Sequence, residues 1–390
     1  MQISNRIENI LGEGSDGWGA FYKARRMIRD GIDVTELTIG EHDITTDTII
    51  LGAMDEAARA GNTGYAAIPG IYELREEVAR RVSNNTGVPT GVENVLITPG
   101  GQSALFAAHM AACNPGDTAL FIDPFYVTYP GTLRAASAIP QPIIAKAENG
   151  FQPLAKDIAS KAKGAKSLLI NSPNNPTGVV YSRVTLNDIA HVCREYDLWL
   201  ISDEVYDTQI WEGAHVSPRS LAGMEERTLV VGSMSKSHAM TGSRIGWLVG
   251  PEKAISHLQN LSTHTTYGVA GFIQEAALFA LNLGDAFEAS IAEPFRRRRD
   301  IAIGIINKSN VINLIPSKGA MYVMLDIRAT GLNGEEFADQ LLSQHHIAVL
   351  PGESFGEAAK GHIRVALTVD DARLKTALQT LVEFAEANTK

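Results

Sequence analysis

An α/β fold, with a large domain on a mostly parallel open sheet between helices and a smaller α+β domain, is predicted by three observations in this 390-residue sequence. From Asn94 onward, apolar runs of strand length end in polar clusters and give way to helical patterns, the alternation expected of parallel strands joined by crossover helices. After Ile312 the order changes to short strands and helices. The chain is also too long for one ordinary core, and its 45% hydrophobic content is enough to fill two.

Composition narrows the function. With 34 basic and 44 acidic residues the net charge is −10, which argues against nucleic acid or an anionic membrane as main partner. Cys113 and Cys193 sit in helix-like contexts, AHMAAC and IAHVC, without metal-ligand or redox spacing, and read as reduced core residues of a cytoplasmic protein. The N-terminus has no basic segment followed by an apolar run, and no stretch is long and apolar enough to span a bilayer. His345-His346 has no further ligand at metal spacing, so no metal site is expected.

Taken in order, GEGSDG at 12–17 matches the letters of a dinucleotide fingerprint, but no strand precedes it and no helix opens after it, so it reads as part of an arm. FYKARRMIRDG is amphipathic and stops at Gly31; VTELTIG then reads as a strand, and Gly40 begins the polar turn GEHDIT. Helical patterns cover 48–60 and 71–84 on either side of GNTGYAAIPG, whose glycines and proline interrupt helix and whose aromatic is Tyr65. The expected division is an N-terminal arm and part of the small domain at 1–45, the large domain at 46–285 and the small C-terminal domain at 286–390. The basic run at 296–299 reads as the solvated face of a long polar helix.

Five strands deliver five polar clusters: NVLIT into PGGQS, TALFI into DPFY, SLLI into NSPNNPTG, LWLIS into DEVY and TLVVG into SMSK. In an open parallel sheet, ligands sit beyond the carboxyl ends of the strands, so these clusters should converge. If RIGWLVG pairs antiparallel with TLVVG, Arg244 returns to the rim that carries Lys236.

Lys236 is crowded by Ser233, Ser235, Ser237, Thr241 and Ser243, with Arg244 eight residues on. That setting suits an amine forming a Schiff base with a phosphorylated aldehyde, whose phosphate Arg244 and the hydroxyls hold; a lone SKS tripeptide is otherwise an ordinary loop. The helix opening at Gly101-Gln102-Ser103 presents free N–H groups at the positive end of its dipole, a ready phosphate cup. Asp203 closes a buried strand, where a carboxylate needs a cation; a pyridinium nitrogen would supply one. Tyr206 and Asn175 could hydrogen-bond the ring oxygen, Asn175 alternatively a substrate carboxylate, and Tyr126 could stack on the ring or belong to the core. Arg364 lies amid an apolar strand, GHIRVAL, and calls for an anion, either an amino-acid carboxylate or an internal partner.

In order and spacing these residues resemble the fold-type I pyridoxal-phosphate aminotransferases of class I/II, over nearly the whole chain. Y-x4-G-x3-LR runs from Tyr65 to Arg75, N-P-T-G from Asn175 to Gly178, D-E-x-Y from Asp203 to Tyr206, S-x-S-K from Ser233 to Lys236 and R-x-G from Arg244 to Gly246. The resemblance implies pyridoxal 5'-phosphate as cofactor and transfer of an amino group from an L-amino acid to a 2-oxo acid by a ping-pong mechanism. It implies that Lys236 is the Schiff-base lysine and proton carrier, Asp203 the pyridinium partner, and Tyr206 and Asn175 the ligands of the ring oxygen. Ser233, Arg244, Gly101 and Gln102 would bind the phosphate, and Arg364 with the backbone at Gly40 the substrate carboxylate. Tyr65 would reach the phosphate of a neighbouring subunit in a homodimer.

Gln102 stands where related aspartate transaminases have a lysine for the distal carboxylate, which weakens aspartate as donor. Several stretches, among them DLWLISDEVY, GAHVSPRSLAGM and SMSKSHAMTGSRIGW, are similar to arginine–pyruvate transaminases, so arginine with pyruvate is the candidate pair, and Glu13, Asp16 and Glu41 are candidates for holding a guanidinium. Aspartate or aromatic transamination and a pyridoxal-phosphate lyase stay open as alternatives, with an aminotransferase-like sensing protein more remote.

Overall fold

The computed structural model describes residues 1–12 and 17–389. Its strands, in chain order, are β1 (Thr35–Glu36), β2 (Val95–Thr98), β3 (Thr118–Asp123), β4 (Ile139–Ile144), β5 (Ser167–Asn171), β6 (Trp199–Asp203), β7 (Thr228–Ser233), β8 (Gly246–Val249), β9 (Asn313–Leu314), β10 (Tyr322–Asp326), β11 (Ile347–Ala348), β12 (Leu350–Pro351) and β13 (His362–Ala366). Seven of them form one sheet in the order β2-β8-β7-β6-β5-β3-β4. All neighbours in it are parallel except β8, which runs antiparallel to both β2 and β7. Ser233 therefore faces Gly246 across the ladder, and Arg244 comes back to the lysine's rim as expected.

Both faces of the sheet are covered, which explains why its strands read as continuous apolar runs rather than alternating ones. Leu120, Leu168 and Leu200 point into one core with Ile158, Ile189 and Cys193. Their neighbours Phe121, Leu169 and Ile201 point into the other with Leu105, Leu248 and Ile255. The period of two along each strand distributes the side chains between two buried layers. No helix among the described residues is long and apolar enough to cross a membrane.

A second, antiparallel sheet has the order β12-β13-β10-β9, and β1 pairs parallel with β11 beside it. The strand expected over VTELTIG is only two residues long in β1. Beyond Glu36 the backbone leaves the ladder because its carbonyls are used elsewhere: Leu37 O accepts from the Ala366 N–H and Thr38 O from Arg364. That divergence carries Gly40 away from the sheet edge and toward Lys236.

The helices Thr48–Arg59 and Tyr72–Thr86 lie where the sequence places them. The basic run falls in the helix Asp285–Ile306 but is not simply a solvated face. Arg298 is 4% exposed and makes a two-pronged bond to Asp43 at 2.9 and 2.7 Å, with Asp371 and the Leu367 carbonyl as further acceptors. Arg297 pairs with Asp371, and Arg299 with Glu212 and Asp300. Arg296 and Arg297 match the expectation of a solvated face, each about half exposed, while Arg298 and Arg299 turn inward.

Candidate active site

The strand ends converge on a cavity of about 320 Å³. Gly40, Gly101, Gln102, Tyr126, Asn175, Asp203, Tyr206, Ser233, Lys236, Arg244 and Arg364 all line it, together with Glu41. Tyr65 does not: it is 90% exposed, edge-on to Tyr267 at 5.0 Å. Glu13 and Asp16 lie outside the described residues. A larger cleft of about 1000 Å³ shares Gln102 and Trp18 with this cavity, but Lys236, Asp203, Arg244 and Arg364 line only the smaller one.

Pro99-Gly100 turns the chain from β2 into the helix Gly101–Ala112, whose start no side chain caps. Its first N–H groups are thus free to meet an anion. Gly100 is required here twice over: its φ is +79°, and a Cβ would lie 2.6 Å from a terminal nitrogen of Arg244. Gln102 is committed sideways, its Nε2 donating to Thr132 Oγ1 at 2.6 Å while Oε1 accepts from Thr128 Oγ1 at 3.1 Å.

Lys236 sits in a one-turn helix, Met234–Ser237, opened by Ser233, whose Oγ accepts from the Ser235 N–H at 3.1 Å. Its Nζ donates to the carbonyl of Gly40. Burial lowers its pKa to about 8; Glu41 and Asp203 oppose the shift, and Arg364 and Arg244 add to it. An amine so poised is neutral for part of the time near neutral pH, as a nucleophile or proton acceptor must be. A side chain at Gly40 would displace the Tyr322 ring, since a Cβ would fall 1.7 Å from its hydroxyl oxygen.

Asp203 ends β6 at 4% exposure. Burial raises its pKa to about 6 against two hydrogen bonds, one from the Tyr129 hydroxyl and one from the Val205 N–H. The turn after β5 is tied to the same place: Asn171 Nδ2 donates to the Asp203 carbonyl at 3.0 Å, and Asn171 Oδ1 accepts from the Asn175 N–H at 2.7 Å. Tyr206, 3% exposed, shares a hydrogen bond of 2.9 Å with Tyr322.

Arg364, in the middle of β13, is 1% exposed. Its guanidinium lies over Tyr322 at 4.4 Å and Phe355 at 4.6 Å, and donates to Asn175 Oδ1 at 2.7 Å and to the Thr38 carbonyl. Its Nε has no partner, and among the described residues no carboxylate pairs with it. The internal ion pair that the sequence left open is therefore not what balances this charge. Burial lowers its pKa, which marks a cation short of its counter-ion.

The sequence missed Tyr129, Tyr322, Thr38 and His42. Tyr129 had one available signal, its place three residues after Tyr126 in DPFYVTYPG. Tyr322 had none, because GAMYVMLDI reads as plain strand core.

This chain fits a phosphorylated pyridine aldehyde. An uncapped helix start and a glycine cradle face Arg244, a buried carboxylate lacks a cation, and a partly neutral amine stands between them. Fold and site together define a pyridoxal-phosphate enzyme of fold type I.

Its family follows from the sequence: the model of aminotransferase class I and II matches residues 32–381, and the chain belongs to that family. It is 39% identical to an arginine–pyruvate transaminase of Pseudomonas aeruginosa, over 98% of this chain and 97% of that one. It is 37% identical to a probable aspartate/prephenate aminotransferase of Thermus aquaticus, over 99% of each. Among solved structures, aspartate aminotransferase of Thermus thermophilus with maleate matches at TM-score 0.92 and 33% identity, covering 98% of this chain and 99% of that one. The protein is a pyridoxal-phosphate-dependent aminotransferase.

Proposed function

We propose that this aminotransferase takes arginine as donor and pyruvate as acceptor, with Lys236 as the reacting amine and proton carrier. The observation that carries the site assignment is Arg364, a buried guanidinium without a carboxylate, lining one cavity with Lys236. An α-carboxylate there would complete the charge and leave the substrate's Cα facing the lysine. When bound, pyridoxal phosphate supplies a ring that accepts the electrons released as a substrate proton departs. Asp203 would keep the ring nitrogen protonated, Tyr206 and Asn175 would hold the ring oxygen, and Tyr126 would cover a ring face. Gly101, Gln102, Ser233 and Arg244 would receive the phosphate. Lys236 would move the proton, and the Gly40 segment would close the substrate's side of the cavity.

The choice of arginine is supported by the 39% identical relative of that name and by two features of the site. Gln102, its amide tied to Thr128 and Thr132, offers no cation to a distal carboxylate. Among the described residues, Glu41 and Asp203 are the acids lining the cavity; Asp203 is buried and bonded to Tyr129, so of these two Glu41 is the one to meet a guanidinium. A donor panel with pyruvate tests this reading, and turnover of arginine no better than that of alanine would sink it.

The same reading includes a homodimer, in which exposed Tyr65 reaches the partner's phosphate, and a division at 1–45, 46–285 and 286–390. A cytoplasmic location accords with two buried free cysteines.

A further inference from the structure

The one-turn helix Met234–Ser237 is too short to satisfy its own last carbonyls, so Lys236 O depends on outside donors. Two side chains reach it: His42 Nε2 at 3.0 Å and Gln209 Nε2 at 3.4 Å. His42 is 8% exposed, with its ring edge-on to Phe295 at 5.1 Å. Its Nδ1 has no partner, so the bond to Lys236 is the ring's one polar contact among the described residues. A carbonyl oxygen can only accept, which requires the proton on Nε2.

His42 belongs to a segment that touches the site repeatedly. Thr38 O accepts from Arg364, Gly40 O accepts from Lys236 Nζ, and Glu41 accepts from Thr241 Oγ1 at 3.3 Å. Asp43, the next residue, anchors the segment on Arg298. We propose that His42 is a positioning residue for Lys236. Its Nε2–H holds the lysine's backbone carbonyl while Gly40, two residues earlier, receives the lysine's amine, so that one segment grips the lysine at both ends.

A lysine side chain has four flexible methylenes, and the place of its amine is only as well defined as the Cα that carries it. The groups facing the His42 ring explain why it is neutral. Burial and the charges of Lys236 and Arg298 lower its pKa, and the Lys236 carbonyl and Asp43 only partly oppose them, leaving it at about 4. A neutral donor fixes the lysine without adding a positive charge beside it. The proposal rests on Lys236 as the reacting amine, and its test separates the two.

The test compares His42→Phe, which keeps a ring against Phe295 but cannot donate, with His42→Gln, whose amide reaches as far as Nε2. His42→Phe should lower kcat about tenfold with KM for the donor within about twofold, the effect of one lost hydrogen bond acting on geometry, and His42→Gln should recover most of it. Independently of turnover, cofactor-free protein is exposed to pyridoxal and borohydride across pH, and labelling at Lys236 is measured by mass. Labelling of the unaltered protein should rise through about pH 8. It should be slower in His42→Phe and restored in His42→Gln.

A merely structural role predicts the reverse order, with phenylalanine harmless and glutamine worse, and that result overturns the proposal. Labelling at Lys236 that both variants leave unchanged overturns the positioning role alone. Absence of labelling at Lys236 in the unaltered protein overturns the lysine assignment and this proposal with it. Should His42→Phe fail to fold, nitrogen NMR of the unaltered protein decides: a neutral Nε2–H ring supports the proposal, and an Nδ1–H or cationic ring overturns it.

Discussion

Tyr129 donates its hydroxyl to Asp203 Oδ2 at 2.6 Å, joining the helix after β3 to the end of β6. The bond favours the ionised carboxylate, against a burial that favours the neutral acid. Burial wins, so Asp203 keeps its proton to higher pH than an ordinary carboxyl, and a cation bound beside it would hold it ionised.

A pH signature follows. The folded pKa of Asp203, about 6, lies above its ordinary 3.8, so its contribution to stability is fully present below about pH 4 and is lost as pH rises through 6. In cofactor-free protein, Asp203→Asn should gain on the unaltered chain as pH rises from 5 to 8, by about 1.4 kcal/mol, because the rest of the effect falls below pH 5. Denaturant titrations at several pH values measure this, and a stability difference that does not change with pH would refute it. The same variant should lose most of its turnover.

Removing the donor alone is the milder perturbation. Tyr129→Phe leaves a buried carboxylate short of one bond, which costs about 1–3 kcal/mol. Its cofactor-free form should take up a proton at higher pH than the unaltered chain, as the pH dependence of its stability would show.

Lys236→Ala should keep the phosphate contacts and so retain cofactor through dialysis, while turnover falls by about 10²–10⁴-fold or more. Robust turnover would overturn the lysine's role.

Arg364→Lys replaces a planar fork, already tied to Asn175 and Thr38, by a point charge. KM should rise for every amino acid alike, by on the order of a hundredfold, since about 3 kcal/mol attends the loss of a buried charged contact. A change confined to one donor would show that Arg364 reads a side chain instead.

Arg298→Met tests the anchor beneath the Gly40 segment. Arg298 is buried but Asp43 reaches solvent and can rehydrate, so removing the charged contacts costs about 1–3 kcal/mol. Asp43, whose pKa Arg298 holds below the ordinary value, contributes stability above the carboxylate range that is lost as pH falls through it. The variant should therefore be less stable than the unaltered chain at pH 7 and converge on it at low pH, which thermal melts would reveal.

Much of the site was legible because strand ends announce themselves: an apolar run that stops at Asn171, Asp203 or Ser233 has one rim on which to place its polar residues. Arg364 was legible as a charge among apolar neighbours. Tyr129 and Tyr322 were not, because each lies among residues that would fill a core equally well, and His42 was not, because the polar turn GEHDIT reads as solvated. Their roles depend on partners 74, 116 and 194 positions away, which no local pattern encodes. Arg298 was misread for a related reason, since a run of four arginines hides which of them turn inward.

The antiparallel course of β8 bears on how this enzyme can vary. Lys236 and Arg244 are separated by a single loop whose two ends are fixed by the pairing of Ser233 with Gly246. An inserted or deleted residue in that loop would move the arginine relative to the lysine and to Gly100 at once. The outer loops of the molecule can lengthen or shorten as lineages diverge, but this one can change its letters only while keeping its count.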